Sequence, residues 1–359
     1  MRRLFFVITL ALVLTGPVVA TAAESSPSFE STYVTGKVIE VTQGEEGQPI
    51  YVTRLSDGQT VEVDTYGESV PVGATVYLEY FTEQGYYNYV TVRRTGGIVW
   101  LSLIFAASVL VLGRAKGARS LAALAVSIGL LFWVLVPMLL HGFDPIMTTI
   151  IVGLGVLGVS IFLTHGFSRQ SLVSFLGSLA SIIVAAILLE IVVGGASLTG
   201  LINDHIQYLS FEVEETLNLV RIVSASIIVG ILGVLDDITI TQVAVVRELS
   251  TDERLTPKDL FQKALRVGRD HIASLVNTLV FAYLGASLPM VMFITFLDIP
   301  LPILLSHEFI FVEVIRSLVG AIALTLAVPV TTWLAAYVFL PSIQRDATAI
   351  DAACAHHHH

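Results

Sequence analysis

Long uninterrupted apolar runs constrain this chain most, because a helix needs roughly 18 such residues to cross a lipid bilayer. The charged fraction is only 13%, against about 25% in soluble domains. The apolar runs lie at 96–113, 119–140, 145–164, 171–194, 217–235, 271–296 and 309–340. The pattern predicts a mainly α-helical polytopic membrane protein with about seven transmembrane helices in a lipid bilayer. Since the last run is too long for one straight span, we expect Pro329 to kink or interrupt it.

The first residues predict a signal peptide at 1–23. Arg2 and Arg3 precede an apolar stretch at 4–19, and small residues at 20–22 suit cleavage. An uncleaved first membrane helix is the alternative. In either case the segment that follows is delivered to the outside of the cell.

Residues 30–95 predict a separate extracytoplasmic β domain. β-branched and aromatic residues alternate with polar ones between turn residues, which indicates four to six short strands and a small, OB-like barrel. Tyr86, Tyr87 and Tyr89 could stack against a ligand, but packing within a hairpin explains them more simply. The fold alone does not decide between these interpretations.

The distribution of basic residues predicts the orientation of the helical domain at 96–341. Lysines and arginines concentrate in the connectors at 114–118, 165–170 and 236–270, whereas the loops at 141–144, 195–216 and 297–308 carry none. Basic loops stay on the cytoplasmic side. The rule places the β domain outside and the C-terminus inside a bacterial cytoplasmic (inner) membrane.

The segment at 237–270 predicts a cytoplasmic helical hairpin. Its second arm begins at Pro257, with Thr256 as the N-cap residue. The arm is basic along one side and apolar along the other, so it suits either the anionic inner leaflet or packing against the bundle or a sister subunit.

The remaining features narrow the function classes. Cys354 is the only cysteine, which excludes an intrachain disulfide and a cysteine-rich metal site. The tail at 342–359 ends in His356–His359, which we interpret as a tag remnant without function. The net charge of −10 arises outside the membrane, where no nucleic acid partner is expected. The other histidines are scattered without a catalytic motif, so we expect no enzyme activity and assign no cofactor.

The stretch "GVLDDITITQ" places two carboxylates at the predicted inner end of the fifth span. Asp236 is expected to meet Asp270 and Asn277 of the sixth span, and Thr239 adds a hydroxyl. These oxygens suit a cation, and a proton could use the same acids. The alternative is that Asp237 caps a helix beginning after it, while Asp236 faces water.

Four charged residues form a second candidate group at the outer ends of their spans. Glu190 and Arg221 belong to two different spans, and Glu313 lies one helical turn before Arg316. An ionised side chain at membrane depth needs a partner or access to water. We weigh an outer gate for a polar solute equally against structural pairing with snorkelling to the interface.

The stretch "GLGVLG", residues 153–158, matches the dinucleotide-binding fingerprint by its letters alone. It lies inside an apolar span rather than between a strand and a helix, so the required context is missing. Small residues that let two helices approach closely are the better explanation.

Four stretches of the chain resemble one family: "HGFSRQSLVSFLGSL", "GILGVLDDITITQVAVVREL", "LFQKALRVGRDHIASLVNTLVFAYLGASLPM" and "VEVIRSLVGAIALTLAVPVTTW". Together they resemble the YibE/F-like bacterial membrane proteins, over residues 30–340. The matching positions are His165, Gly166, Phe167, Arg169, Asp236, Gly268, Arg269, Asp270, Asn277, Thr278, Gly285, Leu288 and Pro289. The family pattern has a single aspartate followed by small residues, so Asp237 and Ile238 depart from it.

The resemblance implies a multi-spanning plasma-membrane protein described as a transporter without an established substrate. With the residues above, it leads us to expect transport of a small ion or polar solute, coupled to a proton or cation. Arg269 joins Asp236, Asp270, Asn277 and Thr239 as a candidate site residue. The alternative is a membrane scaffold or sensor whose β domain binds a ligand or partner, and both functions are compatible with a homodimer.

Overall fold

The computed structural model describes residues 31–44, 48–212, 217–251, 255–297 and 299–355, without the side chains of 204, 212 and 340–355. The predicted signal peptide and the terminal histidines lie outside the described residues. The structure is mostly helical, with an N-terminal half-barrel sheet and several apolar helices. It divides into two compact units between Leu112 and Gly113, so the first contains the sheet and the beginning of the first helix.

Five antiparallel strands form the β domain. They are β1 (Ser31–Gln43), β2 (Pro49–Leu55), β3 (Thr60–Asp64), β4 (Thr75–Phe81) and β5 (Tyr86–Val92). Their order in the sheet is β3-β2-β1-β4-β5. The first half of β1 pairs with β4 and its second half pairs with β2. The edge strands β3 and β5 approach each other, so the sheet curls into a half-barrel.

The sheet packs one apolar core, as the alternating sequence requires. Its members are Val38, Tyr51, Leu55, Val63, Val70, Val76, Leu78 and Tyr89. Tyr86 stacks on Phe81 with ring centroids 4.9 Å apart, and Tyr87 lies 4.7 Å from Tyr80. The three tyrosines considered as ligand contacts therefore pack within the β4–β5 hairpin and the core.

The helices follow in chain order. They are α1 (Thr95–Leu130, continued by a π-helical turn at Leu131–Leu135 and by Val136–Leu140), α2 (Pro145–His165), α3 (Arg169–Gly195), α4 (Asp204–Glu212), α5 (Leu219–Leu249), α6 (Pro257–Ala286), α7 (Leu288–Phe296), α8 (Leu301–Ser306) and α9 (Glu308–Ala355). Arg114 interrupts α1 with non-helical backbone angles, φ 48° and ψ −127°. The predicted junction between the first two spans therefore coincides with a local break.

Five helices of the described chain are long and apolar enough to cross a membrane. They are Thr95–Leu140, Pro145–His165, Arg169–Gly195, Leu219–Leu249 and Glu308–Phe339. The number becomes six if Pro257–Ala286 and Leu288–Phe296, which meet at 64°, form one broken span.

Side-chain caps start four of these helices, because the first backbone N–H groups of a helix lack partners within it. Asp144 caps α2, Ser168 caps α3 and Asn218 caps α5. Thr256 caps α6 in a reciprocal capping box with Asp259, as the sequence predicts.

Two local expectations were wrong. α5 runs without a break from Leu219 to Leu249, so Asp237 is not the cap of a new helix. Both arms of the hairpin predicted at 237–270 are helical, and they continue the apolar parts of α5 and α6. Likewise, α9 continues past Pro329, so this proline does not interrupt the last span.

α5 is the central helix of the second unit. It packs against α2, α3, α6 and α9, while α9 also contacts α3 and α6. The larger apolar cluster along these contacts includes Leu189, Ile228, Leu235 and Leu324. A smaller cluster near Val246 and Leu260 holds α5, α6 and α9 together beyond Asp236. The helix surfaces between these clusters carry the buried polar residues described next.

Candidate functional site

Asp236 lies on α5 and is half-buried against α2. The hydroxyl of Ser160 in α2 donates a hydrogen bond to Oδ2 of Asp236. The other carboxylate oxygen, Oδ1, is buried and has no hydrogen-bond partner among the described residues. His165, at the end of α2, lies within electrostatic range of this carboxylate. Asp236 therefore presents one oxygen with free acceptor capacity inside the helical unit.

Thr239 lies one turn after Asp236 on α5 and faces α3. It is buried, and it shares a 2.9 Å hydrogen bond with Ser178 of α3. Its hydroxyl also donates to the backbone carbonyl of Asp236 at 3.3 Å. These contacts join α5 to α3 beside the carboxylate.

Gln242 lies one further turn along α5 and is also buried. Its Nε2 donates to Oγ1 of Thr332 at 2.7 Å and to the carbonyl of Ala264 at 3.1 Å. Gly268 of α6 packs against the same amide, since a Cβ at this position would lie 2.8 Å from Oε1 of Gln242. One side chain of α5 thus binds both α6 and α9.

Two further hydroxyls of this region, those of Ser174 and Thr331, are buried without a hydrogen-bond partner in the described chain. Gly177 lies directly against Thr331, because a Cβ there would be 2.2 Å from its Oγ1. We use the term polar seam for the set of buried and half-buried polar residues Ser160, Ser174, Ser178, Asp236, Thr239, Gln242, Thr331 and Thr332. Carboxylate, amide and hydroxyl oxygens of this kind bind small cations and exchange protons.

The other predicted inner residues lie elsewhere. Arg269, Asp270 and Asn277 are on the exposed surface of α6. No hydrogen bond or ion pair joins Asp270 or Asn277 to Asp236 in the described part of the chain. Of the five predicted inner residues, Asp236 and Thr239 thus belong to the polar seam. The described residues also contain no group of three or more His, Cys, Asp or Glu side chains placed to hold a metal ion.

The first predicted outer pair forms an ion pair between helices. Arg221 of α5 donates to Oε1 of Glu190 of α3 at 3.0 Å and also pairs with Asp144. Asp144 at the same time caps α2. Since these side chains are about 40–50% exposed, water screens the ion pair, and its main effect is to align three helix ends.

The second predicted outer pair is more buried. Arg316 donates to Glu313 at 2.6 Å within α9, with both side chains 20–24% exposed. Arg316 also reaches Ser226 of α5, and Ser287 donates to Glu313, each at 3.4 Å. Ser287 is the residue at which α6 and α7 meet at 64°. The four predicted outer residues thus form two clusters, and within the described chain no hydrogen bond or ion pair links them.

Sequence reasoning missed most members of the polar seam. Ser160, Ser178 and Thr332 lie inside apolar runs, Gln242 lies in the connector at 236–270, and each is individually unremarkable in the sequence. One signal was available: the serines at 171, 174, 178 and 181 recur at the three- and four-residue spacing of one helix face. A polar face on an apolar helix predicts contact with another polar surface.

Comparison with known proteins gives one family. The family model described as YibE/F-like protein matches residues 101–340, which include every helix of the polar seam. No curated protein and no solved structure matches the chain.

Proposed function

The chain belongs to the YibE/F-like family, and we propose that it is a transporter of a small ion or polar solute in the bacterial cytoplasmic membrane. Its seven spans would comprise the two parts of Thr95–Leu140 on either side of Arg114, four long helices and the broken pair α6–α7. The β domain would lie outside the cell and the C-terminus inside, as the distribution of basic residues favours.

The observation that carries the proposal is the free oxygen of Asp236 within the polar seam. Bundles of apolar helices do not require carboxylates to pack. Because an ionised acid among membrane helices costs free energy, an acid at such a position indicates a function. Ser160 orients one oxygen of Asp236 by hydrogen bonding, which leaves Oδ1 to accept a proton or a cation. We assign Asp236 as the coupling residue and Thr239 as its neighbouring hydroxyl.

The outer clusters complete the proposed mechanism. The Glu313–Arg316 pair contacts Ser287, where α6 and α7 bend, and also Ser226 of α5. Discontinuous helices in transporters place free backbone groups at the binding site and supply a point of movement. We propose that these residues form an outer gate, together with the Glu190–Arg221 pair, and that Arg269, Asp270 and Asn277 of α6 line the inner exit.

The test is ion flux into liposomes that contain the purified full-length chain. A potassium gradient with valinomycin imposes a membrane potential, and a trapped pH-sensitive dye reports proton entry; parallel samples use a sodium-sensitive dye. We expect faster proton or sodium entry than in empty liposomes, and a reduction of at least about tenfold in Asp236→Asn, since its neutral amide cannot bind a proton or a cation's charge.

Asp237→Asn is the matched control, because it removes the same charge from the adjacent, exposed residue of α5. We expect it to retain wild-type flux. Equal flux in Asp236→Asn and wild type would contradict the assignment of Asp236. Wild-type flux no faster than that of empty liposomes, for both ions, would contradict a transporter of protons or sodium.

A membrane sensor or scaffold is the second candidate function. A depression of about 240 Å³ on the β domain favours this function. A sensor needs a surface that binds a ligand, and it needs no path for a solute through the helices. Under this alternative the β domain binds a ligand while wild-type liposomes show no flux, so the same experiment separates the two functions.

A further inference from the structure

Two positive charges face each other in the depression on the β domain. Lys37 of β1 is the direct cross-strand partner of Arg54 of β2, and both line this depression of about 240 Å³. Their sequence neighbours Val38 and Leu55 are buried in the domain core, so Lys37 and Arg54 themselves lie on the outer face. Side chains in such positions start only about 5 Å apart at Cβ.

Like charges directly opposite each other destabilise a sheet. A carboxylate between the two side chains would offset this repulsion. Within the described residues, however, neither Lys37 nor Arg54 has a carboxylate at ion-pair distance. Among the described residues the pair therefore has no counter-charge, although the protein has more acidic than basic residues overall. An anion from outside the chain would supply that charge.

The other groups around the depression are suited to an oxyanion. Thr35, Ser56 and Thr75 line it with hydroxyls. Ser56 donates to the carbonyl of Thr35 at 3.1 Å, and the two hydroxyls lie 3.2 Å apart, so this edge of the depression is ordered by hydrogen bonds. Lys37 also pairs in register with Thr75 of β4, which places a hydroxyl on its other side.

From this geometry we propose that the depression between β1, β2 and β4 binds a phosphate group. Arg54 offers a planar fork of N–H donors that matches two phosphate oxygens, and Lys37 adds a compact positive charge. Phosphate carries the double charge that two unpaired cations can neutralise. A free phosphate ester and the phosphate of an anionic lipid headgroup both present anionic oxygens that these donors would bind.

The experiment uses the full-length protein in phosphatidylcholine nanodiscs, titrated with inorganic phosphate in a calorimeter. We expect saturable binding to the wild type. Lys37→Gln and Arg54→Gln should each bind at least about tenfold more weakly, because each removes a positive charge and its charge-assisted hydrogen bonding. Arg93→Gln is the matched control: it removes the same charge from an exposed residue of this domain whose Nε donates to Thr95, outside the depression.

Thermal unfolding of the same variants gives an independent readout. Without phosphate, Lys37→Gln and Arg54→Gln should unfold at the same or a higher temperature than the wild type, since the repulsion is gone. With phosphate, the wild type should gain stability and these variants should not. No binding to the wild type, or equal weakening in Arg93→Gln, would overturn the proposal.

A second set of nanodiscs that also contain phosphatidylglycerol distinguishes the two sources of phosphate. If a lipid headgroup occupies the site, these lipids should compete and weaken the apparent binding of inorganic phosphate to the wild type. If a free phosphate ester is the ligand, binding should be the same in both kinds of nanodisc.

Discussion

The Ser160 hydroxyl in α2 donates a hydrogen bond to the Asp236 carboxylate in α5, across 76 residues of sequence. This bond ties the central helix of the second unit to its neighbour α2 and leaves the other carboxylate oxygen buried and unpaired among the described residues. One oxygen of Asp236 is therefore held by a hydrogen bond, and the other keeps its capacity to accept a proton or a cation. The first prediction tests that balance.

Ser160→Ala should lower the free energy of unfolding by about 1–3 kcal/mol, because it leaves a second oxygen of Asp236 without a donor. The measurement is thermal or denaturant unfolding of the detergent-solubilised protein. Ser210→Ala is the control, since among the described residues the Ser210 hydroxyl donates only to the carbonyl of Gln207 in its own helix. If the Ser160→Ala and Asp236→Asn losses simply add in the double variant, the two side chains do not interact as the structure indicates.

Gly268→Ala should force α6 away from α5 and α9. An added Cβ would lie 2.6 Å from Val328 and 2.8 Å from the Gln242 amide, which is closer than side-chain contacts allow. Overpacking of this kind costs about 1–3 kcal/mol. Gly285→Ala in the same helix meets no atom within 4 Å, so it should be neutral or stabilise by up to about 1 kcal/mol through helix propensity. Equal stability of the two variants would show that α6 does not pack closely at Gly268.

Glu308→Ala should release the loop before α4. The Glu308 carboxylate accepts hydrogen bonds from the backbone N–H groups of Thr199 and Gly200, at 3.0 and 2.5 Å, and from the Thr199 hydroxyl at 2.8 Å. Bonds to a charged acceptor contribute about 1.5–3 kcal/mol. Hydrogen exchange at the Gly200 amide should therefore accelerate at least about tenfold. Glu248→Ala, at an exposed position of α5, should leave that exchange rate unchanged.

Tyr89 should make the β domain sensitive to high pH. Burial, together with the hydrogen bond that its hydroxyl donates to Glu68, raises the pKa of Tyr89 from 10.0 to about 12. The folded state therefore favours the neutral phenol, and this contribution, about 3 kcal/mol, is complete below pH 10 and is lost as the pH rises through 12.

Tyrosinate absorbance during a pH titration checks this prediction. The difference between wild type and Tyr89→Phe should titrate near pH 12. A Tyr89 signal that titrates near 10.0, the value of an unperturbed tyrosine, would contradict burial of this phenol and its hydrogen bond to Glu68.

The paired charges show how far local pattern carries a prediction. Glu313 and Arg316 are one turn apart in a single helix, so their contact follows from helical spacing alone. The Glu190–Arg221 contact was expected because both residues sit near the outer ends of their spans. The third member, Asp144, was missed because its position before Pro145 indicates a cap and gives no sign of a partner in α5.

The inner aspartates show where local pattern fails. Asp236 and Asp237 are neighbours of the same type, and either a broken helix or a continuous one could contain them. Tertiary contacts on both sides keep α5 continuous, because Ile238 and Thr239 are buried against the bundle immediately after the pair. Asp270 and Asn277 have the right spacing to share a helix face, but both are exposed on α6, and among the described residues neither bonds to Asp236.

Composition and short-range pattern were sufficient for the apolar helices, the Thr256 cap of α6 and the alternating strands of the β domain. Each of these depends on residues within about one turn or one strand of each other. Only the tertiary structure decided that Ser160, Ser178 and Thr332 face Asp236, Thr239 and Gln242 of α5. The physical reason is that an apolar helix can be rotated about its axis in several ways that bury a similar apolar area against its neighbours. The choice is made by the few buried polar groups that must find each other across helices distant in the sequence.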